Sequence, residues 1–229
     1  MIRNYDDFVQ ALLKAGFSQF GVKRDVVVSL IPTWDCEAPP DSIRWFCGDP
    51  DRDPWSWRMR ALEHDEIAYA KVFFRKNGFI TREWYPYFLA ARRGGRSFAD
   101  AYADGLMSRQ AKRVYEALRD NGPLPAHALQ PVIGFGKDEK SAYERAVVEL
   151  EMGLYITLCG EAQKVSRAGD SYGWASNMLC AVEGFWPAEV FEQAETLAPE
   201  DAAEAIYAQV MKINPDAAPK LINKFIQGR

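Results

Sequence analysis

At 229 residues, with 48% apolar and 13% aromatic side chains, the chain is long enough to bury a core as one large domain or two small ones. A formal charge of −4 excludes a surface that is basic throughout: residues 1–107 carry 15 basic and 15 acidic groups, 108–190 carry 9 and 11, and 191–229 carry 4 and 6, which leaves room only for a local basic patch. No window reaches the roughly 18 uninterrupted apolar residues of a membrane helix, and Met1-Ile2-Arg3-Asn4-Tyr5-Asp6-Asp7 lacks the layout of a signal peptide, so a cytoplasmic protein with no membrane partner is expected.

Asp6 or Asp7 is expected to cap a first helix, whose apolar residues Phe8, Ala11, Leu12 and Ala15 recur at helical spacing and which Gly16 ends. Asp25 to Ile31 reads as a strand or buried segment stopped by Pro32. Glu37 to Pro54, rich in Pro, Asp and Gly, reads as a long surface loop. Pro54-Trp55-Ser56-Trp57-Arg58-Met59-Arg60 begins an aromatic and basic segment. Ala68 to Phe74 has the content of a strand, Gly78 marks a turn, Phe79-Ile80 makes a second short strand, and Thr81 caps a helix running through Trp84, Phe88 and Leu89 toward Arg92 and Arg93.

Ser108 caps the next helix, with Ala111, Val114, Tyr115 and Leu118 pointing into a core and Asn121-Gly122-Pro123 ending it. A short helix follows from about Ala126 to Ile133, then a third from about Asp138 to Met152 with Tyr143, Ala146, Val147 and Leu150 inward. Leu154 to Cys159 reads as a strand, Gly160 to Gly173 as a polar tip, and Trp174 to Val182 as a returning strand. Three helices, a strand, a tip and a strand is the order of a winged helix-turn-helix, although an unrelated small α+β unit shares it. Three more helices are expected: Ala188 to Leu197, one opened by Pro199 and running through Ile206 and Val210, and one opened by Asn214-Pro215 and running through Leu221, Phe225 and Ile226. The expected fold class is therefore α+β, mostly helical. Its expected parts are an aromatic-rich α+β region over 1–107, a winged helix-turn-helix module over 108–190, and helices over 191–229 that pack on that module.

Trp55 to Arg60, Trp84-Tyr85-Pro86-Tyr87-Phe88 with Arg92-Arg93, and Tyr143 to Leu150 leading through Gly173-Trp174 to Trp186-Pro187 resemble bacterial winged-helix proteins related to AlkZ. AlkZ-type proteins are DNA glycosylases that remove alkylated or crosslinked purines with tandem winged-helix modules, so the resemblance implies that fold over about residues 50–190 and DNA as a partner. Their catalysis uses a Gln-hydrophobic-Gln or Gln-hydrophobic-Asp motif to orient the attacking water. This sequence departs from that pattern: its nearest triplet is Gln193-Ala194-Glu195, in a helical stretch where alternate residues diverge around the axis. Whether the protein is an enzyme is left open, and no catalytic residue is assigned.

In a winged helix the third helix enters the major groove. Here Lys137, Lys140 and Arg145 suit phosphate contacts, but Asp138, Glu139, Glu144, Glu149 and Glu151 would repel phosphates, so the same helix fits an ordinary solvated face. Arg109, Lys112, Arg113 and Arg119 on the module's first helix, with Lys164 and Arg167 at the tip, are better electrostatic candidates. Arg92, Arg93 and Arg96 form the densest basic cluster, suited to an anion or to a solvated helix end. Trp55, Trp57, Trp84 and Tyr85 suit either base stacking or an aromatic core.

His64-Asp65-Glu66 is the one cluster with metal-ligand residue types, and it is too small for a zinc site. No nucleophile or phosphate-loop motif occurs, so no cofactor and no metal are expected. Cys36, Cys47, Cys159 and Cys180 form no CxxC pair and read as reduced thiols, Cys159 and Cys180 as small hydrophobes within strands. Three function classes follow: a non-catalytic nucleic-acid-binding protein, a divergent base-excision glycosylase, and a winged-helix scaffold for a protein partner or a second copy of itself.

Overall fold

The computed structural model describes residues 2–35, 43–165 and 169–228, without the side chain of Lys137. The chain divides into two compact units, Met1–Gly95 with Glu189–Arg229, and Arg96–Ala188. The protein is α+β, with about half of its residues in helices and two small antiparallel sheets, one in each unit.

The first unit begins with α1 (Tyr5–Ala15), whose buried residues Tyr5, Phe8, Val9, Leu12 and Ala15 form one stripe. Its cap is Asn4, whose side chain accepts from Asp7 N–H, rather than Asp6 or Asp7, and Gly16 at φ 89° closes it. Three antiparallel strands follow in the order β1 (Phe17–Gln19), β3 (Lys76–Thr81), β2 (Ile67–Phe73). Among the described residues 25–31 do not form a strand. The buried Gln19 side chain holds them instead: its amide oxygen accepts from Val27 N–H at 2.7 Å and Val28 N–H at 3.2 Å, and its amide nitrogen donates to Asp25 O at 2.8 Å. The backbone and Ser18 add to this hold: Gln19 N–H donates to Val28 O at 2.7 Å, and Ser18 Oγ accepts from Leu30 N–H at 3.0 Å.

The expected loop from Glu37 to Pro54 lies partly outside the described residues, and 43–53 carry no helix or strand. Pro54–Arg60 is α2, with Pro54 in its first turn and Asp53 as cap. The buried Asp53 carboxylate accepts from Phe46, Gly48 and Trp55 N–H, which folds the end of the loop onto the helix start. The expected strand at 68–74 is β2, but its turn is not at Gly78. Phe74 and Arg75 make the turn at φ 51° and 59°, while Gly78 lies within β3, where a Cβ would come 2.5 Å from the Phe73 ring.

Helix α3 (Tyr85–Arg93) follows as expected and is closed by Gly94, but Thr81 belongs to β3 and Trp84, the residue before the helix, makes no side-chain cap. The last three helices are α8 (Ala188–Glu195), α9 (Pro199–Ile213) and α10 (Pro219–Gln227). Both α9 and α10 pack on α3 and belong to the first unit, where packing on the 108–190 module was expected. Asn214 opens no helix; its amide donates to Val27 O at 2.9 Å and Pro219 starts α10. The core here is aromatic: Phe225 stacks on Phe73 at 3.9 Å between ring centroids, and Trp57 on Phe8 at 5.2 Å.

The second unit opens with α4 (Phe98–Ala103), which the sequence reading passed over although Ser97 and Asp100 cap it reciprocally. Its Phe98 stacks on Tyr115 at 4.1 Å. Helix α5 (Arg109–Asn121) has the expected Ser108 cap and inward residues. Next come β4 (Leu124–Pro125), α6 (Ala126–Val132), a single 3-10 turn at Lys137–Glu139, and α7 (Lys140–Met152). Strands β5 (Ile156–Val165) and β6 (Ser171–Ala181) form a long hairpin, and β4 pairs with β6. Both strands run further than expected.

Candidate functional site

The β5–β6 hairpin gathers three of the exposed large side chains of the second unit, which also exposes Leu106 and Val132 elsewhere. Its register slips once between Leu158 and Gly160 and again between Ala162↔Ser176 and Lys164↔Tyr172, where Gly173, Trp174 and Ala175 stand opposite Gln163 alone. Gln163 bridges the gap, its amide nitrogen donating to the carbonyls of Tyr172 at 3.3 Å and Gly173 at 3.0 Å, and Gly173 takes φ 65°. The bulge turns Trp174 outward: it is 86% exposed, with Tyr172 at 55% and Val165 at 58%. Burying one large apolar side chain gains about 2–3 kcal/mol, so three together in water mark a surface with a use.

The sequence reading assigned this region two cations. Lys164 is half-buried within β5, opposite Tyr172, and Arg167 lies outside the described residues. Tyr172 and Trp174 were missed as candidates, although the run Tyr172-Gly173-Trp174 beside a polar tip was a signal for them.

On α5, Arg109 is exposed at the first position and Lys112 lies 3.8 Å from Glu116 and 4.6 Å over the Tyr102 ring. Arg113 has a structural task. Its guanidinium donates to Ile133 O at 2.7 Å and covers the Phe135 ring at 4.1 Å, tying α5 to the turn between α6 and α7. Arg119 is occupied by Asp120 at 2.8 Å. On α7, Lys140 lies 3.8 Å from Glu144 and Arg145 donates to Ser141, so the outward charges largely cancel. Glu149 does not face solvent as a repelling charge: it accepts from Ser108 N–H and Oγ–H, both at 2.7 Å, joining α7 to the start of α5. Lys137 sits in the 3-10 turn before α7. Tyr143 donates to Ala126 O at 3.1 Å, and burial pushes its phenol up to about 12.

The remaining candidates lie in the first unit. Trp57 and Tyr85 are fully buried and face other side chains, so base stacking does not describe them. Trp84 packs edge-on against Phe17 at 5.4 Å. Trp55 is exposed, but Arg58 already lies 3.9 Å over its ring. Arg92 donates to Phe225 O at 2.9 Å and Ile226 O at 2.8 Å, placing a cation on the last turn of α10, and burial lowers its pKa to about 9. Arg93 is buried. The Arg92, Arg93 and Arg96 cluster therefore gathers no anion site: Arg92 holds a helix end, and Arg96 pairs with Asp104 at 3.2 Å.

His64, Asp65 and Glu66 are exposed, and among the described residues no group of three or more His, Cys, Asp or Glu side chains is placed to hold a metal ion. Nor, among those residues, is any helix long and apolar enough to cross a membrane.

The chain is thus an α+β protein of two units, one closed around an aromatic core and one bearing an aromatic hairpin. The sequence profile of the AlkZ-related family matches residues 2–227, nearly the whole chain, and the protein belongs to that family. No curated protein and no solved structure matches it.

Proposed function

We propose that the second unit is a winged helix-turn-helix that contacts nucleic acid through its hairpin without base chemistry, in a cytoplasmic protein. The chain order of α5, β4, α6, α7, β5 and β6, with β4 paired to β6, supports the winged-helix reading. The observation that carries the nucleic-acid reading is the exposure of Trp174 and Tyr172 on the hairpin. Aromatic faces accept any base, and an apolar wedge can enter a base step from the minor groove. Arg109, Lys140, Arg145 and Lys164 add a few phosphate contacts, too few for tight binding by charge alone. Membership of a family related to a DNA glycosylase supports DNA as the partner.

Fluorescence anisotropy with labelled single-stranded and duplex DNA, titrated from low to physiological salt, tests this reading. Binding that weakens with salt and drops in Trp174→Ala is expected. No binding at low salt would remove the reading.

A protein-binding scaffold is the second reading, favoured by the same apolar hairpin and by the charge balance along α7. A stable dimer or partner complex without DNA affinity would select it. Family membership alone favours a divergent glycosylase. Gln193 and Glu195 of the nearest triplet are exposed on α8, and the absence of abasic-site formation on alkylated DNA is the expected result.

A further inference from the structure

Cys159 and Cys180 lie on facing strands at the root of the hairpin. Thr157 pairs with Cys180 and Leu158 with Leu179, after which the register slips so that Cys159 and Gly160 together face Met178. Cys159, two residues beyond Thr157, shares its face of the strand and so lies diagonal to Cys180. Each thiol is close enough to the other to shift its acidity. Cys180 is buried, and its Sγ is 3.9 Å from Thr157 O, whereas Cys159 is only half-buried.

Their environments divide the chemistry between them. The neighbouring Cys180 thiol holds the Cys159 thiol below the ordinary cysteine range, while that same neighbour and burial push the Cys180 thiol far up. The thiolate is the nucleophile, so the accessible, more acidic Cys159 attacks first and Cys180 is already beside it.

We propose that Cys159 and Cys180 form a dithiol modification site, oxidised to an intramolecular disulfide by a small disulfide such as oxidised glutathione. Cys159 Sγ loses its proton to water and attacks one sulfur of the oxidant. The oxidant's S–S bond breaks, one glutathione leaves as a thiolate that takes up a proton, and a mixed disulfide remains on Cys159. Cys180 Sγ then loses its proton and attacks Cys159 Sγ, expelling the second glutathione. Two protein thiols are oxidised, and one disulfide is reduced to two free thiols. The new bond ties β5 to β6 directly beneath the strands that present Trp174.

The test uses the full chain with Cys36→Ser and Cys47→Ser, treated with oxidised glutathione under native conditions and read by intact mass without reductant. The expected product has lost two hydrogens and retains no glutathione. Adding Cys180→Ser should trap one glutathione on Cys159, because the attack proceeds and the resolving thiol is gone. Adding Cys159→Ser should leave the chain unmodified. Cys180→Ala, checked for folding by circular dichroism, replaces the serine variant if that unfolds. A mixed disulfide persisting while both thiols are present, a disulfide-linked dimer, or no reaction would each overturn the proposal.

Discussion

The two units differ in how most of their aromatic side chains are used, although the first also exposes Trp34, Phe46 and Trp55. In the first, Phe8, Phe17, Trp57, Tyr69, Phe73, Phe79, Phe88 and Phe225 face one another, and all are buried. In the second, Phe98, Tyr115 and Tyr155 make a small aromatic cluster, while Tyr172 and Trp174 stand in water on a bulged hairpin. Composition cannot separate these uses, because an aromatic residue contributes the same area wherever it sits. What separates them is the backbone. Helix and short-strand faces turn the first set inward, whereas a slipped register locked by Gln163 turns the second set out.

Substitutions that break this contrast should be graded in size. Trp57→Ala empties a fully buried site stacked on Phe8 and is expected to cost about 4 kcal/mol, read as a fall in denaturant midpoint. Arg92→Met removes the cation that holds the carbonyls of Phe225 and Ile226 and should cost about 2–3 kcal/mol by the same assay. Arg92→Lys should recover only part of this, since an ammonium lacks the planar fork.

Alkaline titration sharpens the comparison, because burial raises Tyr5 in the first unit and Tyr143 in the second from 10.0 to about 12. A raised folded-state pKa means that the native form binds the proton more tightly. The contribution of each is therefore whole below pH 10 and is lost as the pH climbs toward 12. Tyr143→Phe should flatten the second unit's share of that loss, on the order of 1–2 kcal/mol, and Tyr5→Phe the first unit's. Equal pH profiles in wild type and both variants would show that neither phenol carries the effect.

Some helices capped within their own sequence were legible, although α4, with its Ser97 and Asp100 cap, was not. Ser108 with its i, i+3, i+4, i+7 stripe fixed α5, and Pro199 fixed the start of α9. Partners distant in sequence were harder to read. Between the strand and the buried segment left open for Asp25 to Ile31, the Gln19 side chain decides for the buried segment, with Val27, Val28 and Ile31 in the core. A two-residue turn of Phe74 and Arg75 replaces the glycine turn expected at Gly78, which is needed instead where Phe73 crosses it. Basic residues were equally deceptive as site markers. Arg92 and Arg113 look free in the sequence, yet each caps a chain segment whose carbonyls point at it. The hairpin was legible as strand, tip and strand, but the outward turn of Trp174 was not, because its bulge depends on Gln163 bonding across the strand pair.

The central claim is that the outward aromatics act on a ligand while the inward ones only build. It is tested most directly by measuring Trp174→Ala for both stability and DNA affinity at low salt. The predicted result is an unchanged denaturant midpoint with affinity lowered by about tenfold, the scale of one lost base-stacking contact. Wild-type affinity in that variant would contradict the claim.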